Sequence, residues 1–233
     1  MRILAAFALV LSLATPQAAV AAQKETETVD RTVSIGDRGT LKLNNFSGDV
    51  RITGTSGGDV VVHAVRRASR ERLDNVKLEI TTNGSTVSIE ANKRVPGYTE
   101  KNNNVVETDF DIKVPKGTTL DLDSFSGKLE VTGVTGEINA ETFSGDIAID
   151  AADAAQVPAM TAETFSGNIQ ARVPASASGQ IRFNSFSGSV KSDLPIDMGS
   201  RSKRDRDFSG DLGNGSGPTL RFTTFSGDLR IEK

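Results

Sequence analysis

Leu120-Asp121-Leu122-Asp123-Ser124-Phe125-Ser126-Gly127-Lys128-Leu129-Glu130-Val131-Thr132-Gly133 sets apolar residues at 120 and 122, then at 129 and 131, on either side of a Phe-Ser-Gly step. Apolar residues at every second position are strand periodicity, because successive side chains of a strand point to opposite faces. The pair after the step shares parity with Phe125 and the pair before it does not. A flat strand would send the two sets to opposite faces, so the chain is expected to bend or bulge at the Phe and keep both sets inside. Ser-Gly suits a bend: Gly tolerates positive φ, and Ser bonds to nearby backbone.

The same step occurs seven times, starting at Phe46, Phe125, Phe143, Phe165, Phe186, Phe208 and Phe225, and the last six are 18, 22, 21, 22 and 17 residues apart. Alternating apolar pairs precede it (Leu41 and Leu43, Ile181 and Phe183, Leu220 and Phe222) and follow it (Val50 and Ile52, Ile147 and Ile149, Leu229 and Ile231). A second turn is marked by Thr53-Gly54-Thr55-Ser56-Gly57-Gly58 and Thr132-Gly133-Val134-Thr135-Gly136. Two short strands and two turns in about 20 residues make one coil of a stacked repeat. The fold class is therefore all-β, a single β-solenoid of about 20-residue coils, with an antiparallel β-sandwich as the alternative. A propeller blade needs about 40 residues, twice this period. The 79 residues between Phe46 and Phe125 leave room for about four periods whose corner motif has drifted.

Three stretches break the rhythm and are expected as loop insertions. Residues 66–75 lack alternation and suit a short helical turn. Residues 96–108, with Tyr98 and three consecutive Asn, suit a mobile loop, and residues 197–207 suit a charged one. The chain opens with Met1-Arg2, an apolar run from Ile3 to Leu13, Pro16 and small residues to Ala22, the three parts of a signal peptide. That run is about half the roughly 20 residues of a spanning helix, so the chain is read as exported and not membrane-spanning. The organisation expected is a signal peptide over 1–22, a polar segment over 23–32 and the repeat domain over 33–233. Placement in the periplasm or at the cell surface follows.

Composition narrows the function. The sequence holds no Cys, which excludes disulfides and thiolate metal sites. With 27 Lys+Arg against 30 Asp+Glu the formal charge is −3, and cleavage would remove one Arg and no acid, giving −4. Nothing in that balance attracts nucleic acid. One Tyr and no Trp among 11 Phe disfavours a sugar-stacking platform.

The run Phe110-Asp111-Ile112-Lys113-Val114-Pro115-Lys116-Gly117-Thr118-Thr119-Leu120-Asp121-Leu122, followed by Ser124-Phe125-Ser126-Gly127 and repeated Ser-Gly-Asp-Ile type steps, resembles the bacterial putative-adhesin domain family. The resemblance covers roughly residues 30 to 233 and implies a β-solenoid in an envelope setting, with no catalytic motif.

Identical residues at one phase of a solenoid normally form an interior ladder, so all seven Phe are read as repeat core, with Phe143, Phe165 and Phe186 interior and stacked. The residues after each Gly (Asp49, Lys128, Asp146, Asn168, Ser189, Asp211 and Asp228) form a broken acidic row, read as solvated turn residues rather than a calcium site. His63, the sole histidine, lies in an alternating stretch that offers no catalytic triad. No catalytic, cofactor or metal residue is assigned. The contact candidates are Arg66, Arg67, Arg70, Arg72, Tyr98, Arg201, Lys203, Arg204 and Arg206, whose cations suit phosphate or anionic glycans. The expected function is a non-enzymatic, adhesin-like binding or scaffold protein contacting an envelope component or a protein partner; the rival is a polysaccharide lyase or hydrolase. Because the sequence stops at Lys233, six residues past the final Phe-Ser-Gly, the last coil is expected to expose an open edge fit for self-association.

Overall fold

The computed structural model describes residues 24–99, 105–198 and 207–233. Its strands are β1 (Glu25–Ser34), β2 (Thr40–Ser47), β3 (Val50–Thr55), β4 (Asp59–Ala68), β5 (Val76–Asn83), β6 (Thr86–Arg94), β7 (Glu107–Pro115), β8 (Thr119–Ser126), β9 (Leu129–Thr132), β10 (Ile138–Ser144), β11 (Ile147–Asp150), β12 (Met160–Ser166), β13 (Ile169–Arg172), β14 (Gly179–Ser187), β15 (Val190–Ser192), β16 (Ile196–Asp197), β17 (Asp207–Leu212), β18 (Thr219–Ser226) and β19 (Leu229–Glu232). One helix, α1 (Arg70–Asn75), supplies the short helical turn expected after residue 66. The expected signal peptide over 1–22 lies outside the described residues.

Two mixed sheets result. The nine-stranded sheet runs β1-β4-β7-β3-β9-β11-β13-β19-β15, and the ten-stranded sheet runs β16-β17-β14-β18-β12-β10-β8-β2-β6-β5. Six of the seven Phe-Ser-Gly steps join a strand of the ten-stranded sheet to one of the nine-stranded sheet, as β8 to β9 and β10 to β11, while the step at Phe208 lies within β17. Neighbouring corner units pair in parallel and in register: Leu120 lies beside Ile138, Ile138 beside Met160, and Leu129 beside Ile147. One buried apolar cluster draws on both sheets, with Leu120, Leu122, Leu129, Ile147 and Ile149 among its fully enclosed members. Antiparallel pairing is confined to the two ends, at β1 on β4, β4 on β7 and β5 on β6, and at β17 on β14 and β16 on β17.

Two expectations are overturned here. The 79-residue gap does not hold four drifted coils. It holds one parallel unit, β6 and β7, laid beside β2 and β3, together with the antiparallel strands β4 and β5. The long alternating run of β4 makes a ten-residue strand that pairs antiparallel with β1 and β7. The second correction concerns the end of the chain. β18 is enclosed between β12 and β14, and β19 between β13 and β15, so the last unit in sequence is an interior unit of the stack and offers no open edge. The outer strands beyond it are short, three residues in β15 and two in β16, which limits what an edge can template. At the opposite end β1, read from sequence as part of a polar segment, carries the charges Glu25, Glu27, Asp30 and Arg31 along the edge of its sheet.

Candidate functional site: an exposed phenylalanine ladder

The corner Phe side chains do stack, but on the outside. Rings follow the spatial order Phe46, Phe125, Phe143, Phe165, Phe225, Phe186 with centroids 4.7–5.0 Å apart and planes within 12°. That spacing is the strand repeat of about 4.8 Å, so the sheet itself sets the stack. The six rings are 40–58% exposed, which overturns their reading as interior core. The parity puzzle is resolved by where the chain turns. In β8, Leu120, Leu122 and Ser124 point inward and Phe125 outward without interruption; the inward phase resets only beyond the Phe, across Ser126-Gly127-Lys128, so that Leu129 and Val131 return to the core. Phe208 departs further. It lies in β17, antiparallel to β14 and opposite Phe183, half-buried against the core and outside the ladder.

What fills the interior at each corner is a column of small polar residues that the sequence reading missed: Asn45, Ser124, Thr142, Thr164, Thr224 and Ser185, all buried and mutually in register. Their position, immediately before each Phe, was visible; their inward direction follows from counting parity from Leu120 rather than from Phe125. Thr164 Oγ1 donates to the Gly145 carbonyl at 3.1 Å and Thr224 Oγ1 to that of Gly167 at 3.3 Å, while Asn45 Nδ2 donates to the carbonyls of Gly48 and Thr108 at 3.1 Å each. The two threonine bonds tie one corner to the next, and the Asn45 amide ties its corner to β7.

The row after each glycine also links units. The Asp49 carboxylate accepts from the Lys128 amide at 2.9 Å, Asp146 from Asn168 at 2.8 Å, and Asp228 from Ser189 at 2.8 Å, while the Asn168 side chain accepts from the Asp228 amide at 3.0 Å. The bonds to the Ser189 amide and hydroxyl hold the Asp228 carboxyl below its usual range. Asp211 is not in this row, because it sits on β17. Among the described residues no group of three or more His, Asp or Glu could hold a metal ion.

The basic contact candidates are placed differently from expectation. Arg66 is buried, with its guanidinium on Glu27 and on the Val76 carbonyl, so it is a fold residue and not a contact residue. Arg67 is held by Asp109 and Glu107, and the Asp109 hydrogen bond and charge push its pKa up. Arg70 is exposed and bonds Asp74 at 2.9 Å, one turn along α1. Arg72 is half-buried on the same helix, and Tyr98 is half-buried against Ala68, Leu73, Val76 and Val106. Arg201, Lys203, Arg204 and Arg206 lie outside the described residues. His63 faces solvent on β4, its Nδ1 2.7 Å from the Asp30 carboxylate.

Beside the ladder, on the same outer face of the ten-stranded sheet, runs a row of carboxylates. Asp123, Glu141 and Glu163 are direct neighbours on β8, β10 and β12, two positions before the Phe of each strand. The two rows line an open groove of about 380 Å³, bounded by Asp123, Glu141 and Glu163 on one side and Phe125, Phe143 and Phe165 on the other. Partial burial, then the charges of Glu163, Asp123 and Asp121, push the Glu141 carboxyl up.

Two predictions follow from this geometry. Replacing Phe165 by Ala removes a ring already half in water, so the expected loss is about 1–2 kcal/mol, not the 3–5 of a buried Phe. Urea unfolding reads it, and a loss above about 3 kcal/mol would return the ring to the interior. For Glu141 the folded-state pKa is raised, so its contribution to stability is complete below the unfolded pKa and disappears as pH rises through the folded one. Glu141→Gln is therefore expected to raise the unfolding free energy at pH 7, by at most about 1 kcal/mol after solvent screening, with the gain vanishing towards pH 4. A gain that persisted unchanged at pH 4 would contradict the like-charge origin.

The architecture defines a class: all-β proteins of parallel, two-strand corner units with a continuous aromatic row on one outer face. The particular family is then clear, for the chain belongs to the Toastrack DUF4097 family, whose model matches residues 107–232, and the resemblance to putative-adhesin domains holds. A putative cell adhesion protein from Clostridium sporogenes shares the fold at 13% identity and a TM-score of 0.66, over 89% of this chain and 99% of that one. A putative adhesin from Bacteroides fragilis is 10% identical with a TM-score of 0.38, over 88% and 97% of the two chains. No curated protein matches. Among the described residues no helix is long and apolar enough to cross a membrane.

Proposed function

We propose that the chain is an exported, non-enzymatic β-solenoid that binds an envelope component or a partner protein through its outer faces, with residues 1–22 as the cleaved signal and the repeat domain extending to residue 233. The observation that carries this reading is the ladder of six half-exposed Phe rings. A chain gains stability by burying such rings, and a contiguous apolar row left on a surface marks a contact site. The description of the Clostridium sporogenes neighbour as a putative cell adhesion protein accords with a binding role.

The rival polysaccharide-acting enzyme needs two carboxyl groups flanking the scissile bond. Asp123, Glu141 and Glu163 project from adjacent parallel strands into one groove, so cleavage is assayed beside binding. The test is co-sedimentation of the purified exported chain with isolated cell envelopes, together with an assay for released reducing ends or unsaturated uronates. Binding without release is expected; release would establish the enzyme, and failure to sediment would overturn the binding role.

A further inference from the structure

We propose that the outer face of the ten-stranded sheet docks a cationic, amphipathic peptide segment in extended conformation, its apolar side chains against the Phe ladder and its cations on Asp123, Glu141 and Glu163. This rests on the reading of the ladder face as the contact surface and adds the chemistry of its occupant.

The apolar half of the argument is the ladder. Its rings stack nearly parallel at 4.7–5.0 Å, so their faces cover one another and their edges meet solvent. Ring edges carry the positive end of the quadrupole, so a cation gains nothing from them, whereas an aliphatic chain packs on them well. Attraction for cations must come from the next row. There Asp123, Glu141 and Glu163 stand about 4.8 Å apart by strand spacing, and among the described residues no Lys or Arg pairs with any of the three. Other acids of the stack are paired: Asp121 with Lys42 at 3.3 Å, and Asp150 with Arg172 at 2.8 Å. Like charges directly opposite on adjacent strands destabilise a sheet. A ligand that brings positive charge to this row relieves that repulsion, which gives the complementarity its direction.

The two rows also dictate the shape of the ligand. They run parallel along the stack axis, on either side of one groove. An extended peptide lying in it points successive side chains to opposite sides, one set to the acids and the other to the Phe edges. Three carboxylates span about 10 Å, and side chains two apart on a strand are separated by about 7 Å, so two cations can each bridge neighbouring carboxylates. An anionic lipid surface meets the wrong charge here, and a sugar in this groove meets ring edges, since Phe125, Phe143 and Phe165 are each covered on both faces.

The probe is a fluorescent decapeptide of alternating Lys and Leu, titrated against the purified exported chain, with Glu/Leu and Lys/Ser decapeptides as controls. The Lys/Leu peptide is expected to bind at least tenfold more tightly than either control, and more weakly as salt rises. Glu141→Gln with Glu163→Gln should weaken it at least tenfold and flatten the salt dependence; Phe143→Ser with Phe165→Ser should weaken it while leaving the salt dependence. Equal binding of Lys/Leu and Glu/Leu peptides overturns the proposal, as does indifference to the Glu variants, which retain the fold if the Phe variants do not. A dimer by light scattering that Phe143→Ser with Phe165→Ser dissolves and the Lys/Leu peptide leaves intact would assign the face to a second copy and overturn it too. In the envelope assay, loss with the Phe pair but not the Glu pair removes the cationic ligand and keeps the contact surface. Indifference to both pairs removes the surface itself.

Discussion

A chain shortened to end at Pro218 is expected to lose cooperative unfolding altogether, or to melt tens of degrees lower. The fifteen residues removed are β18, β19 and their flanks, a segment whose place at the end of the sequence suggests a dispensable last coil. The register says otherwise: Leu220 lies between Met160 and Ile181, and Leu229 between Ile169 and Val190. Leu220, Phe222, Leu229 and Ile231 are all buried. At about 1.5–3 kcal/mol each, their loss alone approaches or exceeds the roughly 5–15 kcal/mol that holds a typical domain together. The cut also strips both ladders from β14 and β15 on one side and from β12 and β13 on the other. Thermal unfolding by circular dichroism, compared with deletion of residues 24–34, makes the test. That outer strand, β1, contributes only the half-buried Val29 and Val33 to the core and should cost much less. A shortened chain that melts within a few degrees of the intact one would mean that the β14–β15 unit closes directly on β12–β13, and that the enclosed unit is not required.

The enclosure of the last unit shows what a repeat reveals and what it hides. The period and the alternation around Phe125 were enough to find the corner and the two strands of each unit, because both depend on neighbours within about 20 residues. The order of units in space was not legible, since all units present nearly the same pattern to their neighbours. Met160 can pair with Leu220 or with Ile181 by pattern alone, and the long-range closure decides between them. The side on which the Phe lies was legible in part. Phase counted from Leu120 puts Phe125 outside, while phase counted back from Leu129 puts it inside. Only the location of the turn, after the Phe rather than at it, chooses between the two. For the contact surface, the carboxylates Asp123, Glu141 and Glu163 come from three separate units, each at the same offset before its Phe. No local spacing announces them, and the parallel register gathers them into one row.

Substituting Gly127 by Ala should be among the most damaging single changes in the chain, although the residue sits in a half-exposed turn and a methyl group is a small addition. Two independent effects coincide there. Gly127 has φ +127°, a conformation that L side chains rarely adopt, and forcing Ala into it costs of order 1–3 kcal/mol. A Cβ at this position would also lie 2.2 Å from the Gly48 carbonyl oxygen and 2.7 Å from its carbon, and both atoms are backbone that cannot rotate away. Overpacking of that kind costs about 1–3 kcal/mol in addition. The corner glycines approach one another unit after unit: a Cβ on Gly145 meets the Gly127 carbonyl oxygen at 2.0 Å, and one on Gly167 meets that of Gly145 at 2.0 Å. Strain introduced at one corner is therefore passed to its neighbours, and the ring stack above them must open as the strands separate. Gly127→Ala is expected to lose about 2–6 kcal/mol in urea unfolding. Gly57→Ala provides the comparison, because that residue has φ +145° with no atom within 4 Å of an added Cβ and so carries the backbone effect alone. If the two variants lose the same amount, close approach between units contributes nothing, and the corner glycines are there only for the turn.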